Sequence, residues 1–270
     1  MQELTLEVSD HVAVVSLAGP ARGNALGPDV WGELAATFHE LDRREDVRAV
    51  ILRGRGEQFT YGLDLQRNAP LFMGLSQGEN LASERMALKR LVLEWQAGIT
   101  AIETCSKPVI AAIDGWCIGG GIDIVAAADW RLSTAEARFS LREVKIAITA
   151  DLGALQRLPH IIGQASTRRL AMTGKDFTAT EAHAMGLVDS VYLDSESLFE
   201  AAMAEAIEVA KNPPFVVQSI KQVLNAGRDM TVQQGLDYVA TWNSAYLESN
   251  DLKEAILAYM ERREPTFKGN

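Results

Sequence analysis

Short runs of β-branched and apolar side chains occupy residues 4–8 and 12–17, separated by Ser9, Asp10 and His11. This pattern predicts a hairpin with its turn on those three polar residues. After Pro28, apolar positions fall at Val30, Trp31, Leu34, Ala35, Phe38 and Leu41. Their spacing of three and four predicts a helix with one buried face. A dense apolar run over 47–52, flanked by charges and ending at Gly54 and Gly56, reads as a buried strand. The first unit is therefore strand, strand, helix, strand.

The cycle returns downstream. Leu88, Leu91, Val92, Trp95, Ile99 and Ile102 lie at helical spacing within 83–104, Pro108 stops that helix, and 109–113 is another apolar strand leading into glycines. Between the two cycles, residues 66–82 mix Pro, Gly and large apolar groups without a clear period, so a mobile loop able to cover a site is expected there. From Ser197 the pattern is purely helical. Helices are predicted over 198–210, 215–226, 232–247 and 252–262, punctuated by Asn212-Pro213-Pro214, Gly227 and Asn250-Asp251. Their surplus of apolar side chains suggests docking against the main domain or a sister subunit. An α/β core over 1–196 and a helical region over 197–270 are the expected organisation.

Composition narrows the class. A chain of 270 residues, 47% hydrophobic and 23% charged, has core enough to fold as one large domain with an appendage. Its net charge of −10 argues against a general nucleic-acid binder, which needs basic surface to displace counterions. Cys105 and Cys117 form no C-x-x-C pair and are expected to be small buried hydrophobes rather than reactive thiols. The first residues carry no basic leader before an apolar run, and no span reaches about eighteen apolar residues, so a cytoplasmic protein without a membrane partner is expected. His11, His39, His160 and His183 show no ligand spacing, and no metal is implied.

The candidate chemistry sits between Cys117 and Asp151. A strand ending in Gly119-Gly120-Gly121 and turning into the apolar run 122–128 places free N–H groups at a helix amino terminus, where an oxyanion would be stabilised. A tight strand-to-helix turn without a ligand is the plain alternative. The loop 59–65, FTYGLDL, also follows a buried strand and a glycine-rich turn, so the two loops could aim two N–H groups at one carbonyl oxygen. Asp64 within it reads as a helix N-cap. Asp123 and Asp151 could be a helix-terminal charge and a cap. Glu143 stands among Leu141, Val144, Ile146 and Ile148 in a segment that reads as buried or half-buried, where an unpaired carboxyl would have a raised pKa; Arg142 and Lys145 are the candidate partners. Gly74-Leu75-Ser76-Gln77-Gly78 matches a nucleophile elbow literally, but no strand precedes it. The apolar patch around Trp95 reads as core.

Taken together, the chain resembles the crotonase, or enoyl-CoA hydratase/isomerase, superfamily over nearly its whole length. The matching landmarks, in family order, are Gly23-Asn24-Ala25-Leu26, 47–54, 59–65, Lys107-Pro108-Val109-Ile110-Ala111-Ala112, 115–129, Gln156-Arg157-Leu158-Pro159, 182–188 and Arg263-Glu264-Pro265-Thr266-Phe267-Lys268-Gly269. Within the superfamily, Asp123, Glu143 and Asp151, with 150–159 following, most resemble the Δ3,5-Δ2,4-dienoyl-CoA isomerases; family hydratases usually carry Glu, Glu and Gly there. The resemblance implies a spiral of β-β-α repeats with a carboxyl-terminal helical region that builds homotrimers, often paired into hexamers. It implies that the N–H groups of Leu63 and Gly120 hold the thioester oxygen of an acyl-CoA, and that residues near Arg22, Ala25 and Tyr61 border the CoA nucleotide. Lys268 would reach a neighbour's CoA, and Gly23 stands where many relatives carry a basic residue. No cofactor is expected beyond the CoA that is part of the substrate. Glu143 and Asp151 would shuttle a proton along a dienolate while Asp123 tunes or positions the substrate, with 66–82 and the following helix lining the acyl pocket. A hydratase using Asp123 and Glu143 around one water, a single-double-bond isomerase, and a non-catalytic scaffold or RNA-binding member are the alternatives.

Overall fold

The computed structural model describes residues 2–74 and 81–270. β1 (Leu4–Ser9) and β2 (Val12–Leu17) pair antiparallel, with Asp10 and His11 turning the chain at φ of 49° and 65°. α1 (Val30–Arg43) buries Val30, Trp31, Leu34, Phe38 and Leu41, the stripe its spacing predicts. β3 (Ala49–Gly54) follows, then α2 (Leu65–Gly74), α3 (Leu81–Thr104), β4 (Val109–Ile113), β5 (Trp116–Ile118) and α4 (Gly120–Ala126). The chain continues through β6 (Trp130–Thr134), β7 (Arg138–Ser140), α5 (Ala154–Ile161), α6 (Gly163–Thr173), β8 (Phe177–Thr178), α7 (Ala179–Ala184) and β9 (Ser190–Tyr192). Four helices close it: α8 (Ser195–Ala210), α9 (Pro214–Gly227), α10 (Val232–Tyr246) and α11 (Asn250–Glu261).

The strands form two sheets, ordered β1-β2-β3-β4-β6-β9 and β5-β7-β8. Each turn of chain lays one strand in the first sheet and the next, short strand in the second: β4 then β5, β6 then β7. The turn after β3 does the same in miniature, because Thr60 bridges Cys117 in parallel. Successive turns stack and advance, giving a spiral. Both faces of the first sheet are covered. Val50 and Leu52 join the core under α1, α3 and α4, while Ala49 and Ile51 pack with Leu198, Ala202 and Ala206 of α8. Burial on two sides is why these strands read as unbroken apolar runs.

Two expectations change here. Residues 65–74 are helical rather than an irregular loop: the Asp64 carboxylate accepts from the N–H groups of Gln66 and Arg67, both at 3.0 Å, and Asn68 donates to the carbonyls of Asp64 and Leu26. A side-chain cap and an anchored Asn outweigh Pro70, which lies inside this helix. α3 starts at Leu81, two residues before the apolar spacing indicates. Residues 75–80, which hold most of the literal nucleophile-elbow match, lie outside the described residues. The second change concerns 143–148. Glu143–Ile146 is a 3-10 turn with Val144 and Ile146 each 43% exposed, so these two border a cavity and the surface, while Leu141 before Glu143 is buried in the core as expected.

α9 is tied to the core by a buried ion pair: Lys221 Nζ donates to Asp129 Oδ2 at 2.7 Å and to the Lys107 carbonyl at 3.1 Å. Beyond it, Ile220, Leu224, Val232, Leu236, Tyr259 and Met260 stay exposed. No helix among the described residues is long and apolar enough to cross a membrane.

Candidate active site

Two loops meet at the ends of β3 and β5. The first is pinned by Asn24, whose side-chain amide donates to the carbonyls of Arg55 and Gln58 at 3.0 and 2.7 Å, and by Thr60, whose hydroxyl donates to the Asn24 carbonyl at 2.7 Å. Gly62 then passes so close to β5 that a Cβ there would lie 2.7 Å from the Ile118 carbonyl oxygen, at a φ of 79°. The second loop leaves β5 at Gly119, whose φ of 53° and ψ of −118° turn the strand directly into α4. Such a backbone excludes a side chain at low cost. Both turns leave an amide without a backbone acceptor: Leu63 and Gly120 line one cavity, and neither N–H donates to a backbone carbonyl among the loop and turn bonds of the described residues. At Gly120 this is the unfilled first turn of a helix.

That cavity, of about 250 Å³, also holds Asp123, Glu143 and Asp151. Glu143 follows β7, which pairs in parallel with β5, so its carboxylate comes beside the glycines: Oε1 lies 3.3 Å from where a Cβ on Gly119 would sit. Oε2 is buried without a hydrogen-bond partner. Burial, with the nearby Asp151 charge, raises the Glu143 pKa. Neither expected cation neutralises it. Arg142 forms a fork with Asp176 at 2.7 and 2.8 Å and stacks over the Trp116 ring, and Lys145 lines the cavity without an ion pair to Glu143. Asp151 is exposed on one side, and the partial burial of its carboxyl raises its pKa as well. It does not cap α5; Asp123 takes that part from a distant element, accepting the Ala154 N–H at 2.6 Å.

Asp123 is almost fully buried, and burial followed by the charge of Glu143 pushes its pKa up to about 7, against the lowering by the Ala154 N–H. An acid with a raised folded pKa holds its proton more tightly when folded. Its contribution to stability is therefore complete below its ordinary value of 3.8 and is lost as pH rises through about 7. Asp123→Asn keeps an acceptor for Ala154 and removes this dependence. Subtracting its urea-unfolding free energy from that of the wild type should give a difference that shifts against the wild type by on the order of a few kcal/mol between pH 4 and 8. A difference flat across that range would refute the raised Asp123.

The cavity's remaining wall is apolar: Leu65 and Leu71 from α2, Leu88, Leu91, Val92 and Trp95 from α3, and Ile146, Ile148 and Leu152. Two loop amides without backbone acceptors, three carboxyls and an apolar wall in one cavity suit a hydrophobic carbonyl compound that loses and regains a proton. The sequence pattern of the enoyl-CoA hydratase/isomerase family matches residues 7–270.

The chain belongs to that family. The Δ(3,5)-Δ(2,4)-dienoyl-CoA isomerases of Dictyostelium discoideum (mitochondrial) and Arabidopsis thaliana (peroxisomal) are 42% and 44% identical over 99% and 92% of this chain, and 92% and 89% of their own. The (E)-benzylidenesuccinyl-CoA hydratase of Thauera aromatica is 34% identical over 98% of this chain and 99% of that protein. Among solved structures, enoyl-CoA hydratase from Bacillus anthracis superposes with a TM-score of 0.89 at 29% identity, over 100% of both chains. The fold is thus the α/β crotonase fold, and the protein is a crotonase-superfamily enzyme of acyl-CoA thioesters.

In this enzyme the three acids line one cavity with Leu63, Gly120 and Tyr61. Arg22 and Ala25 line a separate, open pocket with Asp64, Gln66 and Arg67 at the mouth of the first loop. Gly23 is covered by the Tyr61 ring, which fills the space a side chain there would need. Lys268 is not brought to this site: it is exposed, and its backbone N–H is held by Asp251 at 2.8 Å on α11. Cys105 and Cys117 are buried, and burial pushes both thiols up, Cys105 to about 11. The Trp95 patch packs against the core as expected, and its outer side also forms a cavity wall. Its ring stacks on Trp31 at 5.3 Å, and the Trp31 ring in turn approaches Gly120. Periodicity cannot make that distinction, because core and pocket walls present the same apolar stripe.

Proposed function

We propose that the enzyme converts a 3,5-dienoyl-CoA into the conjugated 2,4-dienoyl-CoA. The observation that carries this reading is the convergence of Glu143, raised by burial and by the Asp151 charge, and Asp151, raised by burial, with Leu63 and Gly120 around one largely apolar cavity. The identity to dienoyl-CoA isomerases supports it.

The chemistry follows from the thioester. The Leu63 and Gly120 N–H groups hold the carbonyl oxygen, and a carboxylate removes the proton from C2. Charge then spreads over the oxygen and, through both double bonds, to C6. Reprotonation at C6 leaves double bonds at C2 and C4, with no net gain or loss of atoms. One carboxyl is needed at each end because C2 and C6 are four carbons apart, beyond the swing of a single side chain. Glu143, beside Gly119, takes the thioester end, and Asp151 takes the far end. Asp123 holds the Asp151 loop through Ala154 and positions the substrate beside the two acids.

The CoA nucleotide would lie over the open pocket of Arg22 and Ala25, with Tyr61 at the entrance. The exposed apolar faces of α9, α10 and α11 would join protomers into trimers or paired trimers, with Lys268 offered to a neighbour's CoA; light scattering tests the assembly. The cytoplasmic location belongs to the same proposal and is checked by fractionation, since the relatives named above include mitochondrial and peroxisomal proteins.

The deciding experiment incubates the purified enzyme with 3,5-dienoyl-CoA and follows the conjugated dienoyl chromophore. Strong hydration of 2-enoyl-CoA without conjugation would give the hydratase alternative, which the closeness of Asp123 to Glu143 favours.

A further inference from the structure

The loop that carries Asp151 is held from three directions. Asp123 accepts the Ala154 N–H at 2.6 Å, Arg157 reaches the Leu152 carbonyl at 3.5 Å, and Gln96 of α3 donates from Nε2 to the Asp151 carbonyl at 2.6 Å. Among the described residues, Gln96 alone hydrogen-bonds to Asp151 itself. The Asp151 carboxylate has no hydrogen-bond partner on another residue among the described residues, so its direction is set by its backbone. Gln96 also follows directly on Trp95, and Val92 lies one turn upstream, so the helix that lines the acyl chain fixes the second acid.

We propose that Gln96 is a positioning residue: its amide holds the backbone of Asp151 so that the carboxyl faces the far end of a bound acyl chain. The inference deepens the proposed isomerisation and rests on it for its kinetic consequence. Gln96 makes no contact with the reacting atoms. Its loss should leave Glu143 and the two amides in place while letting the 151–153 backbone relax toward solvent. The two halves of the reaction then separate. Removal of the C2 proton continues, and delivery at C6 fails.

The test compares wild type with Gln96→Leu, which fills similar space without a donor, and Gln96→Lys, which restores one. Three quantities are read: kcat and KM for the dienoyl thioester, exchange of the C2 hydrogen of a saturated acyl-CoA with D2O, and titration of the Asp151 carboxyl by 13C NMR. With Gln96→Leu, kcat should fall by about a hundredfold, as for a catalytic group displaced by an ångström, while KM and C2 exchange stay within about twofold. The Asp151 titration should move down toward the ordinary carboxylate range as the side chain gains water. Gln96→Lys should recover most of the loss.

Equal losses of kcat and C2 exchange would make Gln96 a merely structural residue and overturn the proposal, as would an unchanged kcat with an unchanged Asp151 titration. Should the wild type form no conjugated product, the isomerase reading fails on that control. The NMR titration then decides the positioning role by itself: a shift on Gln96→Leu reversed by Gln96→Lys upholds it, and no shift ends it.

Discussion

Replacing Glu143 by glutamine is expected to lower kcat/KM for the dienoyl thioester about a thousandfold and to abolish C2 hydrogen exchange with D2O, without loss of stability. The size follows from removing a general base, worth between a hundredfold and ten-thousandfold, or about 4 kcal/mol for three decades. Glutamine preserves the volume beside Gly119 but cannot accept the proton. Stability is the less obvious half. Glu143 Oε2 is buried with no partner, and its pKa is raised, so the ionised form that catalysis needs is the form the fold disfavours. An uncharged amide relieves that penalty, and at pH 8 the variant should melt at or above the wild-type temperature. Such a trade of activity against stability marks an acid kept for chemistry. A variant that lost stability in step with activity would show instead that Glu143 is a structural group, and the proton shuttle would have no thioester-side base.

Local and long-range determinants of this fold part company along the chain. The strands and most helices were legible because each depends on a local pattern: the unbroken apolar run of β3, the stripe of α1, and the glycines after β5. Asp64 was legible as a cap because capping is also local. What escaped depends on residues far apart in the chain. Asp123 reads as an N-terminal charge of its own helix, yet it caps α5 thirty-one residues away. Arg142 stands next to Glu143 in sequence, but the 3-10 turn sends it to Asp176. α2 forms across an aperiodic stretch because Asn68 bonds to Leu26, forty-two positions earlier. Gln96 carried no signal at all, being one polar residue on a helix with many. The same limit explains why resemblance, which draws on whole-chain order, reached the three acids while pattern alone left each with an ordinary reading beside it.

Asp151→Asn is expected to separate this enzyme from a hydratase. Hydration needs a water held between Asp123 and Glu143, and Asp151 acts on that pair only through its charge, not as a proton donor or acceptor. Isomerisation needs a proton placed four carbons from where one was taken. The variant should therefore lose between about a hundredfold and a ten-thousandfold of its conjugating activity, the range for removing a proton donor. C2 exchange should persist, since Glu143 and the Leu63 and Gly120 amides remain. The asymmetry matters more than the size. Glu143→Gln stops both measurements because the dienolate never forms; Asp151→Asn stops only the second because the dienolate forms and returns its proton to C2. Neutral asparagine also removes one of the charges that raise Glu143 and Asp123, so the pH at which C2 exchange reaches half its maximum should fall. If conjugation survives Asp151→Asn at the wild-type rate, a single carboxyl serves both ends, and the shared cavity of 143 and 151 has some other purpose.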